Sequence, residues 1–191
     1  MEEIEVKFLD INPEVIIKKL ESIGGTRVFE RLYRRTVFDY PDWRLDAIGA
    51  WVRLRDEGDK ITLTYKQRLG IKPSGNFGTD EGMEEIEVTV DSYDKMALLL
   101  QKIGFTIKGY QENRRIRYLC HGIEYDIDFW PNIPPYLEIE ADSWEKIGEG
   151  MRALELDPQK KLITSTTQIY THYGITLKDY TEVTFDRMVK K

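Results

Sequence analysis

Residues 3–8 read Glu3-Ile4-Glu5-Val6-Lys7-Phe8, a stretch in which charged and apolar residues alternate strictly. Successive side chains of a β-strand point to opposite faces, so this alternation predicts a strand with one charged and one apolar face. The triplet Glu-Ile-Glu recurs at residues 85–87 and 138–140. Because paired carboxylates repel each other, a chain that repeats the pair predicts a positively charged partner, either a metal ion or basic side chains.

The same period of two extends over most of the chain and predicts a protein built mainly of strands. Strands are predicted at residues 3–8, 27–39, 49–56, 60–68, 83–90, 106–119, 123–129 and 136–141. Residues 69–82 are rich in Gly, Pro, Ser and Asn and lack apolar periodicity. They predict a long mobile loop, for which a lid and plain disorder are both open interpretations.

Helical segments are predicted between the strands from apolar stripes and from capping residues. They run from Asn12 to Gly24, from Ser92 to Gly104, from Ser143 to Leu156 and, as a short C-terminal helix, within residues 164–173. In the second of these helices, the predicted buried side consists of Met96, Leu99, Leu100 and Ile103.

One face of nearly every predicted strand carries charge. These faces hold Glu3, Glu5 and Lys7; Arg53 and Arg55; Lys66 and Arg68; Glu85 and Glu87; Arg115 and Arg117; Asp126 and Asp128; and Glu138 and Glu140. The opposite faces are apolar, as at Ile86 and Val88, and are predicted to be covered by the helices. Two folds fit this pattern. One is an open sheet with a solvated charged face, and the other is a sheet closed into a barrel with the charged face inside and helices outside.

The kind of charge favours the closed barrel. Acidic and basic residues are segregated strand by strand, whereas a solvated face usually mixes both signs with Thr, Ser and Gln. Arginine rather than lysine at four of the basic positions favours bidentate recognition of oxyanions. Because burying so many charges without water, metal or ligand is costly, the interior is predicted to be a wet cavity that holds a ligand.

Composition narrows the class of protein. The 191 residues suit one domain over residues 1–191, with 158–191 as a C-terminal helix and tail. The net charge of −6 argues against DNA or RNA binding by bulk electrostatics. With no apolar run of about 18 residues and an acidic start unlike a signal peptide, the sequence predicts a cytoplasmic protein without a membrane partner. The single cysteine excludes an intrachain disulfide. With only two histidines, the sequence argues against a zinc site or a histidine-based triad.

The charged motifs follow one another in a fixed order. They are Glu3-x-Glu5-x-Lys7, Arg53-x-Arg55, Lys66, Glu85-x-Glu87, Arg115-x-Arg117, Asp126-x-Asp128 and Glu138-x-Glu140. This series, which covers nearly the whole chain, resembles the CYTH superfamily, the triphosphate tunnel metalloenzymes. The resemblance implies an α+β fold around a closed eight-stranded antiparallel β-barrel tunnel, a divalent metal ion (Mg²⁺ or Mn²⁺) and a small-molecule substrate with a triphosphate group.

The resemblance also implies roles for the charged residues. A basic cradle for the triphosphate, predicted to be catalytic and substrate-binding, consists of Lys7, Arg53, Arg55, Lys66, Arg115 and Arg117, and further substrate-site residues are Arg68, Glu85 and Glu87. Metal ligands are predicted at Glu3, Glu5, Asp126, Asp128, Glu138 and Glu140, since Mg²⁺ prefers hard oxygen ligands. For Glu85 and Glu87 an alternative stays open, in which they orient the arginines.

Three functions are consistent with these residues. The preferred one is a metal-dependent triphosphatase acting on inorganic tripolyphosphate or on a nucleoside or thiamine triphosphate, because it requires only the charged tunnel. A class IV adenylyl cyclase, which converts ATP to cyclic AMP and pyrophosphate, requires in addition a nucleoside pocket for which the sequence has no motif. The third is a non-catalytic module that binds polyphosphate or nucleotide. A homodimer is left open.

Overall fold

The computed structural model describes residues 4–68 and 83–191, which contain ten strands and four α-helices. The strands are β1 (Ile4–Phe8), β2 (Thr26–Asp39), β3 (Ala50–Asp56), β4 (Ile61–Arg68), β5 (Met83–Val90), β6 (Thr106–Cys120), β7 (Ile123–Phe129), β8 (Tyr136–Ala141), β9 (Tyr180–Val183) and β10 (Met188–Lys190). The helices are α1 (Pro13–Ser22), α2 (Tyr93–Lys102), α3 (Trp144–Ala153) and α4 (Thr166–His172). The predicted α+β class and the eight predicted strands are confirmed.

Two compact units make up the fold. Unit 1 comprises Met1–Arg31 and Asn113–Leu177, and unit 2 comprises Leu32–Glu112 and Lys178–Lys191. The long strands β2 and β6 each contribute residues to both units. The single domain expected over residues 1–191 stays a prediction.

The sheet of unit 1 is antiparallel. Strands β1, β8, β7 and the second half of β6 are hydrogen-bonded neighbours in that order. Its apolar face packs against α1 and α3, where Val6, Leu20, Ile127, Ile139 and Ile147 are fully buried. Because side chains alternate along each strand, the charged motifs lie on the opposite face of the sheet.

Helix α3 approaches this sheet closely because it has a glycine at the point of contact. Its N-cap is Ser143, as predicted, and its side chain accepts from the backbone N–H of Lys146. A Cβ atom at Gly150 would lie 3.0 Å from the Tyr125 hydroxyl and 3.2 Å from Ile139. The glycine therefore sets how near the helix can lie to β7 and β8.

In unit 2, the second half of β2 is followed by β3, β4 and β5, which are antiparallel neighbours in chain order. Helix α2 packs on the apolar face of these strands, and Leu100 joins Phe38, Val52 and Leu54 in the core. Strand β9 pairs in parallel with β6, and β10 pairs antiparallel with β9.

Two predictions about buried apolar residues are wrong in unit 2, one for α2 and one for β5. Leu99 and Ile103 of α2 are 50% and 61% exposed. The helix packs instead through Tyr93, Met96, Ala97 and Leu100, a second stripe with the same helical spacing. Ile86 and Val88 of β5 are also exposed, and α2 packs mainly against β3.

Three further predictions concern closure, the C-terminus and the loop. Among the described residues, no hydrogen-bonded pairing joins β1 to β5, so a closed barrel is not confirmed. Residues 158–191, predicted as a C-terminal helix and tail, contain α4 and the two short strands β9 and β10. The loop predicted at 69–82 lies outside the described residues. No helix in the described part of the chain is long and apolar enough to cross a membrane.

Candidate functional site

Unit 1 carries a network of opposite charges, which we call the Arg115 cluster. It comprises Lys7 of β1, Arg115 of β6, Asp126 and Asp128 of β7, and Glu138 of β8. The strand register pairs Lys7 with Glu138, Glu138 with Asp126, and Arg115 with Asp128. Directly opposed side chains on neighbouring strands are close enough to interact. Motifs far apart in the sequence thus meet on one face of the sheet.

Arg115 lies at the centre of this network. Its Nε and Nη2 donate to the two oxygens of Asp128 at 2.9 and 2.5 Å. Its Nη1 donates to Asp126 at 2.5 Å, and Nη2 also donates to Glu138 at 2.6 Å. Asn113 donates a further bond to Asp128 at 3.0 Å. Since Asp126 and Asp128 are almost completely buried, their charges depend on these donors rather than on water.

Burial and ion pairing shift the pKa values of this cluster in opposite directions. Burial lowers the pKa of Arg115, but Asp128, Glu138 and Asp126 raise it more, to well above its ordinary value. Burial raises the pKa of Glu138, whereas Lys7 and Arg115 lower it more strongly, to about 2. For Asp128 the effect of burial exceeds that of Arg115, and the pKa is raised to about 6. Asp128 is therefore the more readily protonated of these two buried carboxylates.

A row of more accessible carboxylates lies beside the Arg115 cluster. The register places Glu140 opposite both Glu5 and Glu124, so three glutamates are neighbours on β1, β8 and β7. The side chains of Glu5 and Glu124 are 44% and 39% exposed. Glu5 forms an ion pair with Lys7, and Glu124 with Arg117. Arg117 also donates to Asp126 at 2.7 and 2.6 Å.

The chemistry of these carboxylates fits a hard divalent cation. Mg²⁺ is commonly bound by only one or two protein carboxylates, together with waters and substrate phosphates. Within the described ranges, no three His, Cys, Asp or Glu side chains form a ready-made metal site. Glu5 and Glu140 lie on adjacent strands. They suit a metal site with one or two protein carboxylates better than Asp126 and Asp128 do. The oxygens of these two aspartates already accept bonds from arginine.

Unit 2 carries a second network, which we call the Arg53 cluster. It comprises Arg53 and Arg55 of β3, Glu57 just after β3, Thr62, Thr64 and Lys66 of β4, and Glu85 and Glu87 of β5. The Nζ of Lys66 lies 2.7 Å from Glu85, and the Thr64 hydroxyl donates to Glu87 at 2.9 Å. Burial lowers the pKa of Lys66, as does the nearby charge of Arg53. Glu85 and Glu87 thus contact the groups around Arg53, as the orienting interpretation predicts.

The contacts of Arg53 are longer than those of Arg115. The residue is only 9% exposed, yet Nη2 lies 3.4 Å from the Thr64 hydroxyl and 3.8 and 3.7 Å from Glu85 and Glu87. Its Nε is buried without a hydrogen-bond partner among the described residues. Burial, together with the adjacent charge of Arg55, lowers the pKa of Arg53 to about 10. A buried guanidinium with unused donors is suited to bind an incoming oxyanion.

Most of the predicted site residues are accounted for by these two networks. Lys7, Arg115, Asp126, Asp128 and Glu138 form the Arg115 cluster, with Glu5, Glu140 and Arg117 beside it, and Arg53, Arg55, Lys66, Glu85 and Glu87 belong to the Arg53 cluster. Glu3 lies outside the described residues. Arg68 ends β4, where its backbone N–H donates to Gly49, and none of its described contacts is with the Arg53 cluster. The roles assigned to these residues stay predictions.

Three residues in or beside these networks, and a fourth on the neighbouring strand β2, were not predicted from the sequence. Asn113 lies two residues before Arg115, Glu57 two after Arg55, and Glu124 two before Asp126. Continuing the strand alternation by one step from each motif would have found them. Arg35 lies opposite Arg55 on β2, a position that only the strand register reveals.

Comparison with known proteins places these features in a family context. The model of the CYTH domain matches residues 1–170. A Methanocaldococcus jannaschii protein named as a candidate adenylate cyclase is 28% identical over 157 residues, which cover 81% of this chain and 85% of that protein. A solved structure of a conserved hypothetical protein from Pyrococcus furiosus has a TM-score of 0.69 at 22% identity, covering 88% of this chain and 99% of that one.

One further solved structure carries an activity in its name. It is a candidate adenylyl cyclase from Hippeastrum, described as having a dominant triphosphatase activity. Its TM-score is 0.61 at 19% identity, and the match covers 93% of this chain and 98% of that one. At this level of identity the likeness is one of fold.

Proposed function

The chain belongs to the CYTH family, and on that premise we propose that it is a metal-dependent triphosphatase. The observation that carries the proposal is Arg53, a buried guanidinium whose Nε has no hydrogen-bond partner among the described residues and whose Nη2 lies 3.8 and 3.7 Å from Glu85 and Glu87. A terminal phosphate offers several oxygens to such a group, and forked recognition of oxyanions is what arginine does best. The Hippeastrum relative with triphosphatase activity is consistent with this choice.

We propose a role for each cluster, taken by itself. Arg53, Arg55 and Lys66 bind phosphate oxygens and stabilise the charge that spreads over the phosphoryl group during transfer. Glu5 and Glu140, with Glu138 nearby, would hold the divalent ion, and the chemistry supplied there would be that of a Lewis acid. Lys7, which contacts both Glu5 and Glu138, fixes the positions of these carboxylates.

Arg115 has a different task in this proposal. All three of its guanidinium nitrogens are engaged by Asp126, Asp128 and Glu138. Displacing these bonds to bind a phosphate would take hydrogen-bond donors away from buried carboxylates. We therefore assign Arg115 to holding the carboxylates together, and assign phosphate binding chiefly to the Arg53 cluster.

A class IV adenylyl cyclase is the second candidate, favoured by the name of the Methanocaldococcus jannaschii relative. Both reactions use a triphosphate and a divalent ion, but the cyclase also needs a site for the nucleoside and a positioned 3′-hydroxyl. The Arg53 and Arg115 clusters offer groups for phosphate and metal. This makes the hydrolase the simpler function for the residues described.

The deciding experiment incubates the purified protein with tripolyphosphate or ATP, in Mg²⁺, in Mn²⁺ and in chelator, and measures phosphate, pyrophosphate and cyclic AMP together. Metal-dependent phosphate release from tripolyphosphate is the expected result. Cyclic AMP with pyrophosphate from ATP would establish the cyclase instead. No product from either substrate, with binding retained, would indicate a non-catalytic module.

Matched variants test the assignment of residues. Arg53→Ala is expected to lower kcat/KM by about 100-fold or more, since transition-state donors are typically worth that much. Its control is Arg34→Ala, which removes an exposed arginine paired with Asp56 in the same unit and should leave kcat/KM unchanged. Glu5→Gln should weaken Mn²⁺ binding measured by electron paramagnetic resonance, whereas Glu145→Gln, in the first turn of α3, should not. Equal effects in a variant and its control would refute the corresponding assignment.

A further inference from the structure

Glu57 is a buried carboxylate that no charged motif of the sequence includes. It follows β3 directly, and the residue is only 5% exposed. Its backbone N–H donates to the carbonyl of Lys60 at 2.9 Å, which fixes the turn into β4. Its Oε1 accepts from both Nε and Nη2 of Arg55, at 2.9 and 2.6 Å. The fully buried hydroxyl of Thr62 donates to the same oxygen at 3.2 Å.

These contacts determine how the guanidinium of Arg55 is presented. Glu57 engages the edge formed by Nε and Nη2, and the ring of Tyr33 lies 5.2 Å from the guanidinium carbon on one face. Within residues 4–68 and 83–191, Nη1 has no hydrogen-bond partner. A guanidinium held by one edge is oriented with its remaining N–H groups in a fixed direction. Arg53, its neighbour on the same face, has no comparable anchor.

We propose that Glu57 is a positioning residue that orients Arg55, so that the Nη1 edge of Arg55 binds a phosphate oxygen of the substrate. The proposal rests on the proposed function, because it supposes that the Arg53 cluster binds a triphosphate. It assigns the two arginines of β3 different properties. Arg55 is rigid and pre-oriented, which lowers the entropy lost on binding, whereas Arg53 is free to adjust to the anion.

Two substitutions of Glu57 distinguish the effect of its side-chain position on kcat/KM from the effect of its charge. Glu57→Asp keeps the charge but shortens the side chain, so that the anchor withdraws from Arg55. It is expected to lower kcat/KM for tripolyphosphate by roughly 10- to 100-fold, because a displacement near 1 Å costs about that much. Glu57→Gln keeps an acceptor oxygen at the same distance and is expected to retain most of the wild-type kcat/KM. A larger loss in Glu57→Gln than in Glu57→Asp would overturn the positioning role.

A double-variant cycle shows whether Glu57 acts through Arg55. In an Arg55→Lys background there is no fork to orient, so adding Glu57→Asp should cost nothing further. In an Arg53→Lys background the two losses should multiply. A purely structural role would give the same loss in both backgrounds and would overturn the proposal. If Glu57→Asp does not fold, Thr62→Val, which removes a donor to the same oxygen, enters the same cycle.

The wild-type protein separates this proposal from the proposed function. If it neither hydrolyses nor binds tripolyphosphate by calorimetry, the proposed function fails, and the role of Glu57 fails with it. If it hydrolyses tripolyphosphate and the cycle with Arg55→Lys is additive, only the role of Glu57 is overturned.

Discussion

Replacing Arg115 by alanine removes a cation that contacts Asp126, Asp128 and Glu138 together. The three carboxylates are at most 8% exposed, so water cannot replace the lost donors. Breaking a buried ion pair by deleting one partner typically costs about 3–5 kcal/mol. We expect a loss of that size in the free energy of unfolding at about pH 7.5, out of a total that is roughly 5–15 kcal/mol for a typical domain.

The loss should depend on pH in a defined direction. In the intact protein the pKa of Asp128 is raised to about 6, because burial raises it more than Arg115, the main lowering influence, lowers it. Without Arg115 the pKa of Asp128 rises further, and the folded variant takes up a proton that the unfolded chain does not. The free energy of unfolding of the variant therefore increases as pH falls toward the pKa of the carboxyl group in the unfolded chain. Between about pH 7.5 and 5.5 the deficit should shrink by about 1–2 kcal/mol.

The assay is urea unfolding followed by circular dichroism, at both pH values. Arg114→Ala is the matched control, since this neighbouring arginine is 38% exposed, pairs with Glu30 and lies over the ring of Phe129. It should cost about 1 kcal/mol at both pH values. Arg115→Lys should be intermediate, because lysine keeps the charge but not the fork. Equal losses for Arg114→Ala and Arg115→Ala, or a deficit that does not change with pH, would refute the counter-ion role.

Other predictions follow from single contacts. The pKa of Glu138 is lowered from 4.5 to about 2, so its carboxylate contributes stability that is fully present above pH 4.5 and is lost as pH falls toward 2. In acid titrations the stability gap between wild type and Glu138→Gln should therefore close over that window, and a constant gap would contradict the assignment. Gly150→Ala should destabilise by about 1–3 kcal/mol because the new Cβ meets Tyr125, Ile139 and Ile123. Gly148→Ala, where the only close atom is the end of the Arg152 side chain, should instead stabilise α3 by about 0.5–1 kcal/mol; thermal melts that rank the two the other way would exclude this account. Asn113→Ala should cost about 1–3 kcal/mol by removing a donor to the buried Asp128, and a wild-type urea midpoint would contradict it.

The strands and the membership of the charged faces could be predicted from the sequence because both depend on a period of two. That period identifies Arg53, Arg55, Arg115 and Arg117 equally well, and it cannot tell them apart. Their difference arises from the neighbouring strands, because Arg115 lies opposite Asp128 whereas Arg53 lies opposite Thr64. Only the register supplies those partners.

Other features could not be predicted because the local signal was ambiguous or too short. In α2 two apolar stripes share Met96 and Leu100, and the choice between them depends on Tyr93 and Ala97 meeting the sheet. Strands β9 and β10 have four and three residues, too few to show alternation. The exposure of Ile86 and Val88 on β5 could not be predicted either. Amphipathicity shows that one face of a strand is apolar, but it does not show what covers that face.

The pairing of β1 with β8 has a consequence for how the protein is made. During synthesis the ribosome releases β1 well before its partner, because the chain from residue 9 to residue 135 must be translated in between. The backbone N–H and C=O of Lys7 also form two hydrogen bonds with the backbone of Leu162, and these can form only after residue 162 has been made. Strands β2 to β5, in contrast, can pair with their neighbours as each one emerges. Unit 2 can therefore start to fold on the ribosome, while Lys7 meets Glu138, and Glu5 comes to lie opposite Glu140, only after β8 has been made.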